Sequence, residues 1–236
     1  MLSLLRSLFV SSLLLLLLST QASAQGLLQL TLKGEVSLPG GGWCELAVSA
    51  QGEQGSARRV DLGLHLGAGT KGIEVLQLLA ARLEREGVVV VRPVWGARSE
   101  AATGSLWIEQ CQGLSVRVPE GLQAAVVVSK SAPQSVRVVP AGEVGGALLL
   151  TATTRNRTDG TVGRLTCQVP WTAKSGKDDI ATALAARAID QGWRGEVTGR
   201  DTWQPGLLID GAELRGVSLE LVGAAGATLE LALPKR

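Results

Sequence analysis

The chain has 236 residues, with 23 Lys and Arg against 21 Asp and Glu. The formal charge of +2 gives no electrostatic footprint for nucleic acid or an anionic membrane. Hydrophobic residues make up 45%, with 30 glycines, six tryptophans, one Phe and no Tyr, which excludes a disordered chain and asks for a β-rich core of Val, Leu, Ala and Trp.

The N-terminal stretch reads as an export signal. Arg6 supplies the positive start, Leu13 to Leu18 form an unbroken apolar run, and Ala22-Ser23-Ala24 is a small-x-small cleavage site before Gln25. The run is too short for a bilayer span of about 20 residues, and no later stretch is long and apolar enough to be one. Residues 1–24 are therefore expected to be a signal peptide, and the mature protein to work in the periplasm or outside the cell. Without Arg6, 22 basic residues face 21 acidic ones.

Beyond the signal, the chain shifted by 105 positions lands on itself. Arg59 falls on Arg164, Gly87 on Gly192, and Leu79-Ala80-Ala81-Arg82 on Leu184-Ala185-Ala186-Arg187. An offset held without a gap from Cys44 to Gly87 points to an internal repeat. It predicts two β-rich modules, over residues 25–130 and 131–236, in which each position can be checked against its sister.

In the first module a hairpin, with Gly55 in its turn, leads to a helix capped at Thr70 and stopped at Gly87. Val75, Leu79 and Leu83 recur at i, i+4 and i+8, a stripe that packs on a sheet. Val88 to Val91 is a β-branched run expected to be covered on both faces. Strands follow at Leu106–Glu109, Gly113–Val118 and Ala124–Val128. The polar stretch Ser129 to Ser135, broken by Pro133, suits a linker.

The second module repeats this order. Ala147–Thr154 and Val162–Val169 flank a turn whose Asp159-Gly160 is a hairpin signal. Ser175 is the sister N-cap, with Asp178 completing a capping box. Ile180, Leu184 and Ala188 repeat the stripe, and Gly192 stops the helix. Strands follow at Trp193–Thr198, with one wet face, then at Leu207–Asp210, Gly216–Leu221 (offset now 103) and Thr228–Leu233. The fold class is α+β: tandem modules, each ββ-α-ββββ, with a mostly antiparallel sheet and one packed helix.

The run Ile180-Ala181-Thr182-Ala183-Leu184-Ala185-Ala186, followed by Gly192 and the Leu207-Leu208-Ile209 strand, resembles in rhythm modules of flagellar hook and filament-cap proteins. There an alanine-rich helix starting at isoleucine precedes a glycine and paired strands. The resemblance covers one helix and a strand pair, and the asparagine usual at the helix end is missing.

Candidate chemistry is sparse. Each of the three cysteines has leucine as its sister: Cys44 against Leu149, Cys167 against Leu62, Cys111 against Leu214. Thiols used as small core hydrophobes explain this, and a Cys44–Cys111 bridge is the alternative. Three scattered cysteines and one histidine do not make a zinc site. His65 alternates with Leu64 and Leu66 and so faces outward, with no nucleophile-elbow sequence to serve. Asp178, Asp179, Asp190, Asp201, Asp210 and Glu213 could supply a hydrolytic carboxylate pair, yet each also fits a helix end or a turn. Gly40-Gly41-Gly42 precedes a strand, the wrong context for a phosphate loop.

The tryptophans divide by sister. Trp43, Trp171 and Trp193 align with Leu148, Leu66 and Val88 and are expected in the core. Trp95, Trp203 and Trp107 align with Arg200, Arg98 and Asp210, positions that accept charge, and are expected at a binding rim. The first functional reading is a non-enzymatic structural or protein-interaction component of the envelope or surface, working through strand edges and these three tryptophans. The second is a secreted carbohydrate- or small-ligand-binding protein using the same residues. The third is a carboxylate-dependent hydrolase. No cofactor is indicated.

Overall fold

A computed structural model describes residues 27–51, 57–91, 104–129, 131–141, 144–207 and 212–234. The expected signal peptide over 1–24, Gly55, Trp95, Asp210 and the Leu208-Ile209 part of a predicted strand lie outside them.

The first half of the chain runs β1 (Leu28–Gly34), β2 (Gly42–Gln51), β3 (Ala57–Leu66), helix α1 (Gly72–Arg85), β4 (Val90–Val91), β5 (Gly104–Ile108), β6 (Cys111–Arg117) and β7 (Leu122–Ser129). The second half runs β8 (Ser135–Val139), β9 (Gly146–Asn156), β10 (Val162–Trp171), helix α2 (Lys177–Asp190), β11 (Trp193–Thr198), β12 (Thr202–Leu207), β13 (Ala212–Val222) and β14 (Thr228–Ala232). Each half is thus βββ-α-ββββ, one strand more than the sequence predicts. Part of the predicted linker is strand: Ser129 closes β7 and Ser135 opens β8.

Two antiparallel seven-stranded sheets result. Sheet A has the order β10-β9-β13-β7-β1-β5-β4, and sheet B the order β11-β12-β8-β14-β6-β2-β3. Exchanging each strand for its counterpart in the other half turns sheet A into sheet B read backwards. Both sheets draw strands from both sides of the 130/131 boundary, through β7 against β13 and β14 against β6. The two halves therefore share one buried cluster, from Leu28 and Leu46 to Leu150 and Leu229, instead of each closing its own.

Alternation builds that cluster. Leu28, Leu30 and Leu32 of β1 are fully buried while Gln29 and Thr31 are not, the period-two signature of a sheet with one wet face. Helix α1 packs on β1 and β5, and α2 on β10, β11 and β12. The predicted stripes Val75, Leu79, Leu83 and Ile180, Leu184, Ala188 are all buried. Gly87 and Gly192 end the helices at φ of 74° and 82°, the left-handed conformation predicted for them.

The N-termini fall one residue later than predicted, at Lys71 and Gly176. The side chain three residues on decides this: Glu74 and Asp179, not Asp178, accept the N–H groups of Lys71 and Gly176 at 3.0 and 2.8 Å. Val88–Val91 is also not doubly covered. Val88 is buried, but Val89 and Val91 are exposed, because β4 is a two-residue edge strand.

No bridge joins Cys44 and Cys111; all three cysteines are free and buried. Cys111 pairs with Ala50, six residues along β2 from Cys44. That is about 20 Å of strand, far beyond the ~7 Å Cα limit of a disulfide. Burial pushes both thiols up to about 12.

Candidate binding trough on sheet B

The outward side chains of sheet B form a grid set by strand register. Trp43 faces His65; Glu45 lies between Gly63 and Arg117; Ala47 lies between Asp61 and Ser115; Ser49 lies between Arg59 and Gly113. Beyond β6, β14 places Thr228 beside Arg117 and Glu230 beside Ser115, and β8 places Arg137 beside Glu230.

Small residues make the floor. Ala47, Ser49, Gly113 and Ser115 sit on the two central strands, so the surface dips between higher side chains on β3 and on β14 and β8. Two hollows of about 380 and 540 Å³ occupy the dip and share Ala47, Arg59 and Ser115 in their walls. From the Ser49 row to the Trp43 row is six residues, about 20 Å of open trough. A third hollow of about 960 Å³ shares Gln134 with the second and opens beside β12 and β8, which pair only at Trp203 and Val136.

Three arginines and three acids line the trough, and each arginine has its own acid. Arg59 and Asp61 are 2.9 Å apart, Arg117 and Glu45 3.6 Å, and Arg137 and Glu230 3.0 Å. These groups are partly solvated, so the pairs add little to stability. Their consequence is a surface rich in donors and acceptors but without excess charge.

At the far end stands Trp43. It is 57% exposed, the largest exposed aromatic among the described residues. Its six-membered ring lies across β3, only 3.6 Å from where a Cβ on Gly63 would sit. The imidazole of His65 meets it edge-on, with ring centroids 5.4 Å apart and planes at 75°. Glycine below and histidine beside leave the indole laid over the sheet.

Of the tryptophans predicted to form a rim, the two among the described residues, Trp107 and Trp203, do not come together. Trp203 is fully buried and packs against Trp193 at 5.8 Å. Trp107 is half-buried on the outer face of sheet A, between Gln29 and Val91. Trp43, predicted as core, is the exposed one among the described tryptophans. The misplacing of Trp43 and Trp203 has one cause: the sister register slips.

Gly42 pairs with Leu66, and Gly146 with Trp171, so the offset is 105 in the second hairpin strand but 104 in the first. The pairs Val48–Leu114 and Ala152–Val217 give the same 104. A one-residue slip turns every side chain to the other face. Cys44, not Trp43, is thus the counterpart of buried Leu148. Further on, Leu28 faces Ile108 as Val136 faces Trp203, which makes Ile108 the counterpart of Trp203.

Three of the candidate carboxylates have structural partners. Asp179 caps α2, and Glu213 pairs with Arg215 at 3.4 Å. Asp201 receives Lys177 at 2.7 Å and Arg137 at 3.0 Å, tying the start of α2 to β8. Its carboxyl is held below its ordinary range, chiefly by the Lys177 hydrogen bond, with Thr202 and Arg137 assisting. His65 is exposed, with Trp43 as its ring partner. Among the described residues no cluster of three His, Cys, Asp or Glu could hold a metal, and no helix is long and apolar enough to cross a membrane.

The long edge strands are poor templates for another chain. Edge β3 bears Arg58, Arg59 and Asp61, and edge β10 bears Pro170 and is flanked by α2.

No protein-family model matches the chain, and no curated protein does. Among solved structures, similarity is low. The flagellar cap protein FliD from Helicobacter pylori matches at 10% identity over 86% of this chain, with a TM-score of 0.25. The chain spans 57% of that structure's length. A carbohydrate-binding module described as of the β-sandwich superfamily matches at 14% identity over 83% of this chain and 73% of its own, with a TM-score of 0.26. An exo-β-agarase matches at 14% identity over 63% of this chain and 22% of its own, with a TM-score of 0.24. At these scores the likenesses carry no argument about function.

Proposed function

We propose that the protein is a non-enzymatic binding component that works outside the cytoplasm and holds an elongated ligand along the trough of sheet B. The observation that carries this is the trough itself. It is open at the surface and floored by small residues, and its charged groups are already paired with one another. A carboxylate-dependent glycoside hydrolase would need two acids facing each other across a cleft with one kept protonated. Asp201, the most enclosed of the candidate acids among the described residues, is instead held ionised between cations. Export rests on the N-terminal segment over residues 1–24.

The matched strand orders support a further part of the reading, that the chain is a duplicated unit whose two copies interlock. The copies have diverged on their outer faces, so one sheet carries Trp43 and the trough.

The test is co-sedimentation of the purified protein with isolated cell-envelope material. Ala47→Arg places a long side chain on the trough floor without touching the core. Wild-type protein should sediment and the variant should stay in solution. Equal sedimentation of the two, or none by either, contradicts the proposal.

A further inference from the structure

We infer that the Trp43 end of the trough is a glycan subsite, where one neutral sugar ring of a longer chain stacks on the indole. The inference rests on the binding role proposed for the trough and names its ligand class.

Several ligand classes can be weighed against the walls. A nucleic acid or acidic polymer needs an excess of cations, and here Arg59, Arg117 and Arg137 are each matched by Asp61, Glu45 and Glu230. A protein partner anchors through apolar side chains in desolvated pockets, and the floor of Ala47, Ser49, Gly113 and Ser115 offers none. A chain of neutral sugars meets both conditions. Each pyranose has an apolar C–H face and an edge of hydroxyls that both donate and accept.

The geometry supplies one flat apolar surface and a ring of polar groups. Trp43 offers its exposed face. Gly63 gives it room to lie across β3: a Cβ there would already touch the ring at 3.6 Å, so a side chain branching beyond Cβ would press on it from below. His65 packs against it in a T-shaped contact with ring centroids 5.4 Å apart, a neighbour that lowers the ordering cost of binding. Glu45 and Arg117 lie beside it on the neighbouring strand positions, within the same 380 Å³ hollow. Their ion pair of 3.6 Å is loose enough for each partner to take a hydroxyl instead.

The experiment is an NMR titration of the indole N–H signals, one from each of the six tryptophans, with cellohexaose and with hexa-N-acetylchitohexaose, both uncharged. The expected result is a saturable shift of the Trp43 signal with at least one of the two, while the Trp193 and Trp203 signals stay still. Trp43→Ala should weaken binding at least tenfold, and Gly63→Val, which keeps the indole but lifts it, should weaken it about as much. No Trp43 shift with either oligosaccharide at millimolar concentration overturns the inference. So does binding that survives both substitutions. If Ala47→Arg abolishes envelope binding yet neither sugar moves Trp43, the trough proposal stands and the glycan assignment fails.

Discussion

Trp43 and His65 stand directly opposite each other across β2 and β3, edge to face on the outer side of sheet B. The pair is a surface feature, since the indole is more than half exposed. Trp43→Ala should therefore cost about 1 kcal/mol or less in urea unfolding, while removing the stacking surface. A loss of several kcal/mol would place the indole in the core.

Leu184→Ala should behave in the opposite way. Leu184 lies at the centre of the α2 stripe and is 1% exposed. Truncation leaves a cavity under the helix and should cost about 2–5 kcal/mol in urea unfolding. A loss well under 1 kcal/mol would mean that α2 does not pack on the sheets.

Two glycines should answer differently to alanine. A Cβ on Gly195 would sit 2.5 Å from the Gln204 carbonyl oxygen and 2.5 Å from Trp203 Nε1, so Gly195→Ala forces the buried indole aside. It should cost about 1–3 kcal/mol. A Cβ on Gly63 meets Trp43 at an ordinary 3.6 Å, and Gly63→Ala should leave the thermal midpoint unchanged. Equal effects at the two sites would contradict this packing.

The thiols set an alkaline limit. Cys44 and Cys111 are raised from an ordinary 9.0 to about 12 by burial, so the folded state holds these protons after the unfolded chain has lost them. Stability from this source is complete below about pH 9 and falls as the pH rises towards 12. Native protein should react slowly with a thiol reagent at pH 8, and unfolded protein without reductant should yield three thiols. Finding one would establish a disulfide.

Asp201 acts at the other end of the scale. Its carboxyl is lowered in the folded state by Lys177, Thr202 and Arg137, so its contribution is present above the unfolded value of 3.8 and is lost as the pH falls through the folded value. Asp201→Asn should lower the thermal midpoint at pH 7 and flatten its decline below pH 4. An unchanged acid profile would show that the ion pairs with Lys177 and Arg137 are not maintained in solution.

Local signals carried much of this fold. The stripe spacing in both helices, the paired glycine stops and the Asp159-Gly160 turn are each decided within a few residues, and all stand where the pattern puts them. Strands β1 and β8 are the two not predicted: Leu28-Gln29-Leu30-Thr31-Leu32 and Val136-Arg137-Val138 alternate, but they lie beside the expected signal peptide and the expected linker. What local pattern could not carry was pairing. Nothing in either half announces that β7 crosses to β13 and β14 to β6, because exchange between similar units leaves every local preference satisfied.

The site was misread for a related reason. Its key residue, Trp43, was hidden by a one-residue slip between β2 and β3, inside the stretch that aligns without a gap, and one residue is half a strand period. One signal could have exposed the slip: Trp43, Glu45 and Ser49 share a parity on β2, and two of the three are polar. The trough floor had no sequence signature, since Ala47, Ser49, Gly113 and Ser115 become neighbours only through the β2–β6 pairing.

The trough on sheet B is tested most directly by using its counterpart as a control. Ser115 on β6 and Ser218 on β13 occupy matching positions, each half-buried on the outer face of its own sheet. Envelope binding should be measured for Ser115→Arg and Ser218→Arg side by side with wild-type protein. The account predicts that Ser115→Arg abolishes binding while Ser218→Arg retains it in full; equal loss in both, or loss only in Ser218→Arg, would contradict it.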